Sequence, residues 1–231
     1  MKTTSINFLL IISLFLTICT PARSQNIWTQ TNGPNGGGGA AIAIDSTGNI
    51  FAGLFAGGIF RSSDRGGRWE PVRNGLRPSR ITSIAVNSAN VIFAATTELW
   101  NDTDYVYIST DHGNNWARSK RGIYYEPIRE LRIAPNDHIF ARQDFADYRS
   151  TDNGATWTEI TPRNTVRQWR MAIGNNGYIY VANDSGLYRS TNDGSSWKLV
   201  QRSSHPVNYS VFTAQNGDIY TQDIAPSGAF R

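Results

Sequence analysis

The side chains of this sequence that could do chemistry are carboxylates, arginines and aromatic rings gathered in a few short segments. Trp100, Asp102 and Asp104 fall within ELWNDTD; Tyr124 and Tyr125 precede Glu126 and Arg129; Trp169 and Arg170 follow Arg167; Asp144, Phe145 and Asp147 share QDFAD. Rings stack on apolar faces of a sugar or peptide while charged groups fix its orientation, so such clusters suit a binding surface. Two carboxyl groups about 5 to 10 Å apart would instead suit glycoside hydrolysis, and Asp102 or Asp104 with Asp144 or Asp147 is the pair on offer. RSTDNGATW, residues 149 to 157, also packs Ser150, Asp152, Gly154 and Trp157 into one loop. What these residues do depends on the elements that hold them.

RSTDNGATW has three relatives in the chain: RSSDRGGRW ending at Trp69, ISTDHGNNW at Trp116 and RSTNDGSSW at Trp197. A loop repeated four times is architecture. The four tryptophans are separated by 47, 41 and 40 residues, and a second motif keeps step with them: GNIFAG, NVIFAA, DHIFAR, GYIYVA and GDIYTQ. Each is a turn pair followed by a β-branched and aromatic run, the signature of a strand. From each box Trp to the Ile of the next such strand the count is 23, 23, 22 and 22, and from that Ile to the next box Ser it is 12, 17, 11 and 11. A period of forty-odd residues with four short strands, a to d, is the sequence form of a propeller blade. In the third repeat the expected strands are Ile128 to Ala134, Ile139 to Gln143, Tyr148 to Ser150 and Trp157 to Ile160. The extra residues of the second repeat lie in Glu98 to Asp104, between strands b and c.

The box chemistry suits a tight hairpin between strands c and d. An Asp carboxylate accepts N–H groups of its own loop and Gly supplies a positive φ. The Trp is expected to close the loop over the blade edge, covering about 200 Å² of surface. The four segments resemble Asp-box, or BNR, repeats, and the resemblance extends over essentially all of residues 25 to 231. Ser62, Asp64, Gly66 and Trp69 match the pattern, as do Ser109, Asp111, Gly113 and Trp116, and Ser150, Asp152, Gly154 and Trp157. In the fourth, Ser190, Asn192, Gly194 and Trp197, Asn stands for Asp and is expected to accept more weakly. The resemblance implies a sialidase-like, all-β propeller of four-stranded antiparallel blades with its boxes at the periphery, structural and not catalytic. Sialidases would add an Arg cluster, an Asp acid and a Tyr paired with Glu, but no Arg-Ile-Pro element stands near residue 25. The chain is also similar to repeat proteins of bacterial envelopes and to an assembly factor of photosystem II.

If the c to d turns share one face, the b to c and d to a links lie on the other, where propellers bind ligands. Trp100, Asp102, Asp104, Tyr124, Tyr125, Trp169 and Arg170 are the ligand-binding candidates there. Metal and cofactor chemistry is not expected, because three dispersed histidines form no ligand cluster, Cys19 is the only cysteine, and TDNG lacks the alternating acids of a calcium loop. The net charge of +4 becomes +2 without Lys2 and Arg23, too small to argue for nucleic acid.

Residues 1 to 24, with Lys2, an apolar run from Ile6 to Ile18 and small Ala22 and Ser24, read as a signal peptide too short for a membrane span. Residues 25 to 231 are then an exported propeller domain. It holds four complete repeats, with a fifth split between NIWTQT at the start and the strands ending at Arg231. Those ends fit either a closed five-bladed ring or, as expected here, part of a larger propeller. The expected function is noncatalytic binding or scaffolding of a carbohydrate or protein at the cell envelope or outside the cell. A glycoside hydrolase is the alternative.

Overall fold

The computed structural model describes residues 32–34, 38–77, 80–97, 105–119, 122–123, 126–162, 168–183, 185–202, 210–214, 216–222 and 229–230. Trp28 and the rest of NIWTQT, the leader and the loop 98–104 lie outside them. Thr31–Arg231 is one compact unit.

Five antiparallel meanders follow one another in chain order. Blade I is β1 (Gly39–Ile44), β2 (Ile50–Leu54), β3 (Gly58–Ser62) and β4 (Glu70–Pro71); blade II is β5 (Arg80–Val86), β6 (Ile92–Thr97), β7 (Tyr105–Ser109) and β8 (Ala117–Arg118). Blade III is β9 (Glu130–Ile133), β10 (Ile139–Arg142), β11 (Asp147–Ser150) and β12 (Thr158–Glu159), each within about two residues of its expected bounds. Blade IV is β13 (Gln168–Ile173), β14 (Ile179–Asn183), β15 (Gly186–Ser190) and β16 (Lys198–Arg202). Blade V has three strands, β17 (Ser210–Thr213), β18 (Ile219–Gln222) and β19 (Ala229–Phe230). The fold is an all-β propeller.

Side chains alternate along each strand, so every blade has a leading face towards the preceding blade and a trailing face towards the next. The core is accordingly a series of interblade layers. Phe51, Ile59 and Val72 of blade I pack with Ile84 and Tyr107 of blade II; Phe93 and Val106 with Leu131 and Ala141 of blade III; Phe140 and Ile160 with Met171 and Val181 of blade IV; Tyr180 and Leu187 with Val211 of blade V. The aromatic second residue of strand b always fills the trailing face.

Each box is a turn locked by its own hydroxyl. The Ser Oγ accepts the Gly N–H at 2.8 Å in all four and donates to Oδ1 of the Asp or Asn at 2.8 to 3.0 Å. That Oδ1 also accepts the N–H four residues on, at 2.8 to 2.9 Å. Asn192 therefore holds its turn at the same distances as the aspartates, and no geometric weakening accompanies the substitution. Two successive residues take positive φ, Arg65-Gly66, His112-Gly113, Asn153-Gly154 and Asp193-Gly194. Glycine is needed there for space as well: a Cβ on Gly194 would stand 2.6 Å from Ile160 Cδ1 of the preceding blade.

The tryptophans do more than close their own loops. Trp116 and Trp157 are buried within interblade layers, and Trp197 packs against a third. Their Nε1 groups donate to the preceding blade's d region or the link after it, to Val72 O at 2.9 Å, Ser119 Oγ at 3.0 Å and Ile160 O at 2.6 Å. Trp69 alone turns back to its own Gly66 O, at 3.2 Å. Three of the four box tryptophans thus join blades, a correction to the edge-covering role expected from sequence.

Candidate ligand-binding site

The innermost strand of each blade is its a strand, and four of these surround a cavity of about 310 Å³. Ala40, Ala41 and Ile42 line it from β1, Thr82, Ser83 and Ile84 from β5, Glu130 from β9 and Arg170 from β13, with Arg129 beside β9 and Arg142 at the end of β10. The register shows why these residues meet. Ala41 pairs with Gly53, Ser83 with Ala95, Glu130 with Arg142 and Arg170 with Ala182, so one equivalent position of every blade faces the opening. Pairing is irregular just before it in blades I, II and IV, and the extra residue re-aims the strand as a bulge does. Trp169 and Arg170 therefore belong to β13 and not to a link. Arg170 is exposed to the cavity.

Blade III differs from the others. Continuing the row across the sheet gives Ala41, Gly53 and Ile59 in blade I, Ser83, Ala95 and Val106 in blade II, and Arg170, Ala182 and Leu187 in blade IV. Blade III has Glu130, Arg142 and Asp147. Glu130 is held by Arg132, at 2.6 Å, and by Arg142 Nε, at 3.5 Å. Asp147 is fully buried and neither carboxylate oxygen has a hydrogen-bond partner. Loss of hydration pushes its carboxyl up to about 7; Arg142 opposes the rise, while Glu130 and Glu159 add to it. Beside this row Arg129 grips Asp144 with two bonds, of 2.8 and 3.1 Å.

Among the carboxylates proposed for hydrolysis, Asp147 is sealed between strands and cannot touch a ligand, and Asp144 is engaged by Arg129. Asp102, Asp104, Trp100, Tyr124 and Tyr125 lie outside the described residues. Glu130 and Arg142 were missed by sequence reasoning. A signal for Arg142 was present: DHIFAR ends in Arg where GNIFAG, NVIFAA and GYIYVA end in Gly or Ala.

The opposite end of the blades carries the boxes and the a to b turns, joined by a latch at each of the first three interfaces. The box residue before Gly faces the preceding blade's turn: His112 Nδ1 lies 3.0 Å from Asp45 Oδ2, Asn87 donates to Asn153 at 3.0 Å, and His138 Nδ1 lies 3.0 Å from Asp193 Oδ2. Arg61 and Arg149 reinforce two of these by donating to the carbonyls of His112 and Asp193, both at 2.7 Å.

The sequence matches the BNR-Asp box repeat over residues 59–72 and the BNR/Asp-box repeat over residues 148–159. The chain is an Asp-box repeat β-propeller. The propeller resembles an ancestral GH74 enzyme with a TM-score of 0.66 at 21% identity, over 86% of this chain and 29% of that one. It resembles YCF48 bound to D1 peptide with a TM-score of 0.68 at 15% identity, over 89% of this chain and 69% of that one. Virginiamycin B lyase from Staphylococcus aureus gives 0.62 at 13% identity, over 84% and 70%. The propeller thus spans less than a third of the GH74 enzyme's length. No curated protein matches the chain. No helix among the described residues is long and apolar enough to cross a membrane, and no group of three or more His, Cys, Asp and Glu side chains among them could hold a metal ion.

Proposed function

We propose that this propeller is an exported, noncatalytic binding module that holds a carbohydrate or protein segment at the a-strand cavity. The observation that carries the reading is the state of the charged groups there. The carboxylates of Glu130 and Asp144 are occupied by arginines, whereas Arg170 reaches the cavity exposed. Such a lining orients a ligand through guanidinium hydrogen bonds. Trp100, Asp102, Asp104, Tyr124, Tyr125 and Trp169 supply the surrounding contacts in this reading. The fold of YCF48, solved with a peptide bound, lends it support. Export rests on the leader-like residues 1 to 24.

The alternative, a glycoside hydrolase, draws on the GH74 likeness in fold and would need Asp102 or Asp104 opposite a freed Asp144. Glycan and peptide arrays probed with the parent chain, the Arg170→Ala variant and a deletion of Glu98 to Asp104, alongside a reducing-sugar assay on polysaccharides, separate the two. Binding lost in the variants without sugar release is the expected result. Steady release of reducing ends by the parent chain would overturn it.

A further inference from the structure

Blades I and V carry, on their outward faces, the side chains that elsewhere form interblade layers. Ile42 occupies the leading-face position of Ile84, Leu131, Met171 and Val211, yet Ile42 is 69% exposed where those four are at most 7%. Ile44 and Phe60 share its face of blade I. On blade V, Tyr220 occupies the trailing-face position of Phe51, Phe93, Phe140 and Tyr180, and it is 41% exposed where they are at most 8%. Phe212, its cross-strand partner, is exposed as well.

The latch positions at these two faces are also complementary. Arg65 stands in box I where His112, Asn153 and Asp193 stand in boxes II to IV, with the same positive φ, and it is exposed. In the a to b turn of blade V, Asn216 and Asp218 occupy the places of Asn136 and His138, the two residues that hold Asp193 in the blade III to IV latch. A carboxylate on the turn and a cation on the box repeat the polarity of the Asp45 to His112 latch. Trp69 Nε1, which donates only within its own loop, is the fourth member of a set whose other three reach across to the preceding blade.

We infer that copies of this chain associate head to tail, the trailing face of blade V docking on the leading face of blade I of the next copy. The contact continues the interblade stacking. Tyr220 and Phe212 cover Ile42, Ile44 and Phe60, and Asp218 pairs with Arg65. Each face meets a different face, so the association is heterologous and proceeds to a closed ring or an open filament. Exposed apolar surface of this kind supplies the attraction, and the ion pair sets the register.

The test is sedentation of the full chain over a wide concentration range, with thermal melting of every variant as a check on folding. The parent should associate with rising concentration. Arg65→Glu and Asp218→Arg should each weaken association by roughly tenfold, the size of one like-charge contact in place of an attractive pair. Ile42→Asp should weaken it by roughly a hundredfold, since a carboxylate would enter the apolar layer. An equimolar mixture of the Arg65→Glu and Asp218→Arg chains should regain the parent's behaviour, because native and reversed pairs can then alternate between copies. A parent that stays monomeric throughout overturns the inference. Failure of the mixture to recover also overturns it and points to closure within one chain. Association unaffected by Ile42→Asp does so too, and places the contact elsewhere.

Discussion

The two ends of the blades are built on opposite principles. At the box end every repeat solves the same problem in the same way, with a Ser hydroxyl, an Asp or Asn oxygen and a Gly at matching distances. At the cavity end the same backbone register carries Ala41, Ser83, Glu130 and Arg170, four different chemistries at equivalent positions. The box end is satisfied in its hydrogen bonds; the cavity end tolerates Asp147, whose buried oxygens have none. Repetition marks what holds the propeller together, and departure from the repeat marks where it has been given something individual to do.

The harshest way to break the contrast is to crowd a box. Gly194→Ala places a Cβ 2.6 Å from Ile160 Cδ1 and 2.9 Å from its Cβ, at a φ of +80°. The strain and the overpacking together should cost about 2 to 4 kcal/mol in chemical denaturation. An equivalent insertion at the cavity row, Ala182→Ser, should cost less than half as much if the cavity end is the more forgiving. Asp152→Ala follows in size. It strips the acceptor from the Thr156 N–H and from the Ser150 and Thr156 hydroxyls, at a cost of about 1 to 3 kcal/mol. Unchanged stability with lost ligand binding would move the box from architecture to function.

The two ends should also answer pH with opposite signs. Asp64 is held below its usual range by the Arg68 N–H and the Ser62 hydroxyl, and Asp111 by the Asn115 side chain and N–H. Asp45 and Asp152, whose slight burial works the other way, are carried down by their hydrogen bonds. Folded pKa values below the unfolded one mean stability that is present above about pH 4 and lost as pH falls further. Asp147 runs in reverse. Its folded value is raised to about 7 from 3.8, so the folded state holds a proton that the unfolded state has released. Its contribution is full below about pH 4 and is lost as pH rises towards 7. Asp147→Asn should therefore flatten the melting temperature between pH 4 and 7 and raise it above pH 7. A parent chain with no decline over that window would show that Arg142 keeps the carboxylate charged.

The blades were legible because their signals are local: a β-branched and aromatic run, a turn pair and a box, each recurring at a fixed count. What stayed hidden was relational. Trp116 and Trp157 read as covers for their own hairpins because the neighbouring blade that receives them lies some forty residues earlier in the chain. Arg65 and His112 gave no sign of positive φ, since neither is a residue type that favours it, and only the box geometry imposes it. Glu130, Arg142 and Asp147 are separated in sequence and become a row only when three strands are placed in register. Arg170 was picked out for its charge beside Trp169, and the bulged start of β13 is what turns it to the cavity.

The smallest expected effect on stability, and the sharpest on function, belongs to Arg170. It is exposed in a strand whose neighbours Met171 and Ala172 anchor both faces of blade IV. Removing its side chain leaves those layers intact, and Arg170→Ala should change stability by less than about 0.5 kcal/mol. Arg170→Lys keeps the charge but loses the planar fork. If the cavity holds its ligand through paired guanidinium hydrogen bonds, the lysine variant should bind almost as poorly as the alanine one; if charge alone suffices, it should bind nearly as well as the parent. Titration of all three chains with a ligand taken from the array, in low and high salt, reads the difference directly. Equal affinity for parent and alanine variant would remove Arg170 from the site and leave the cavity's charge on blade III alone.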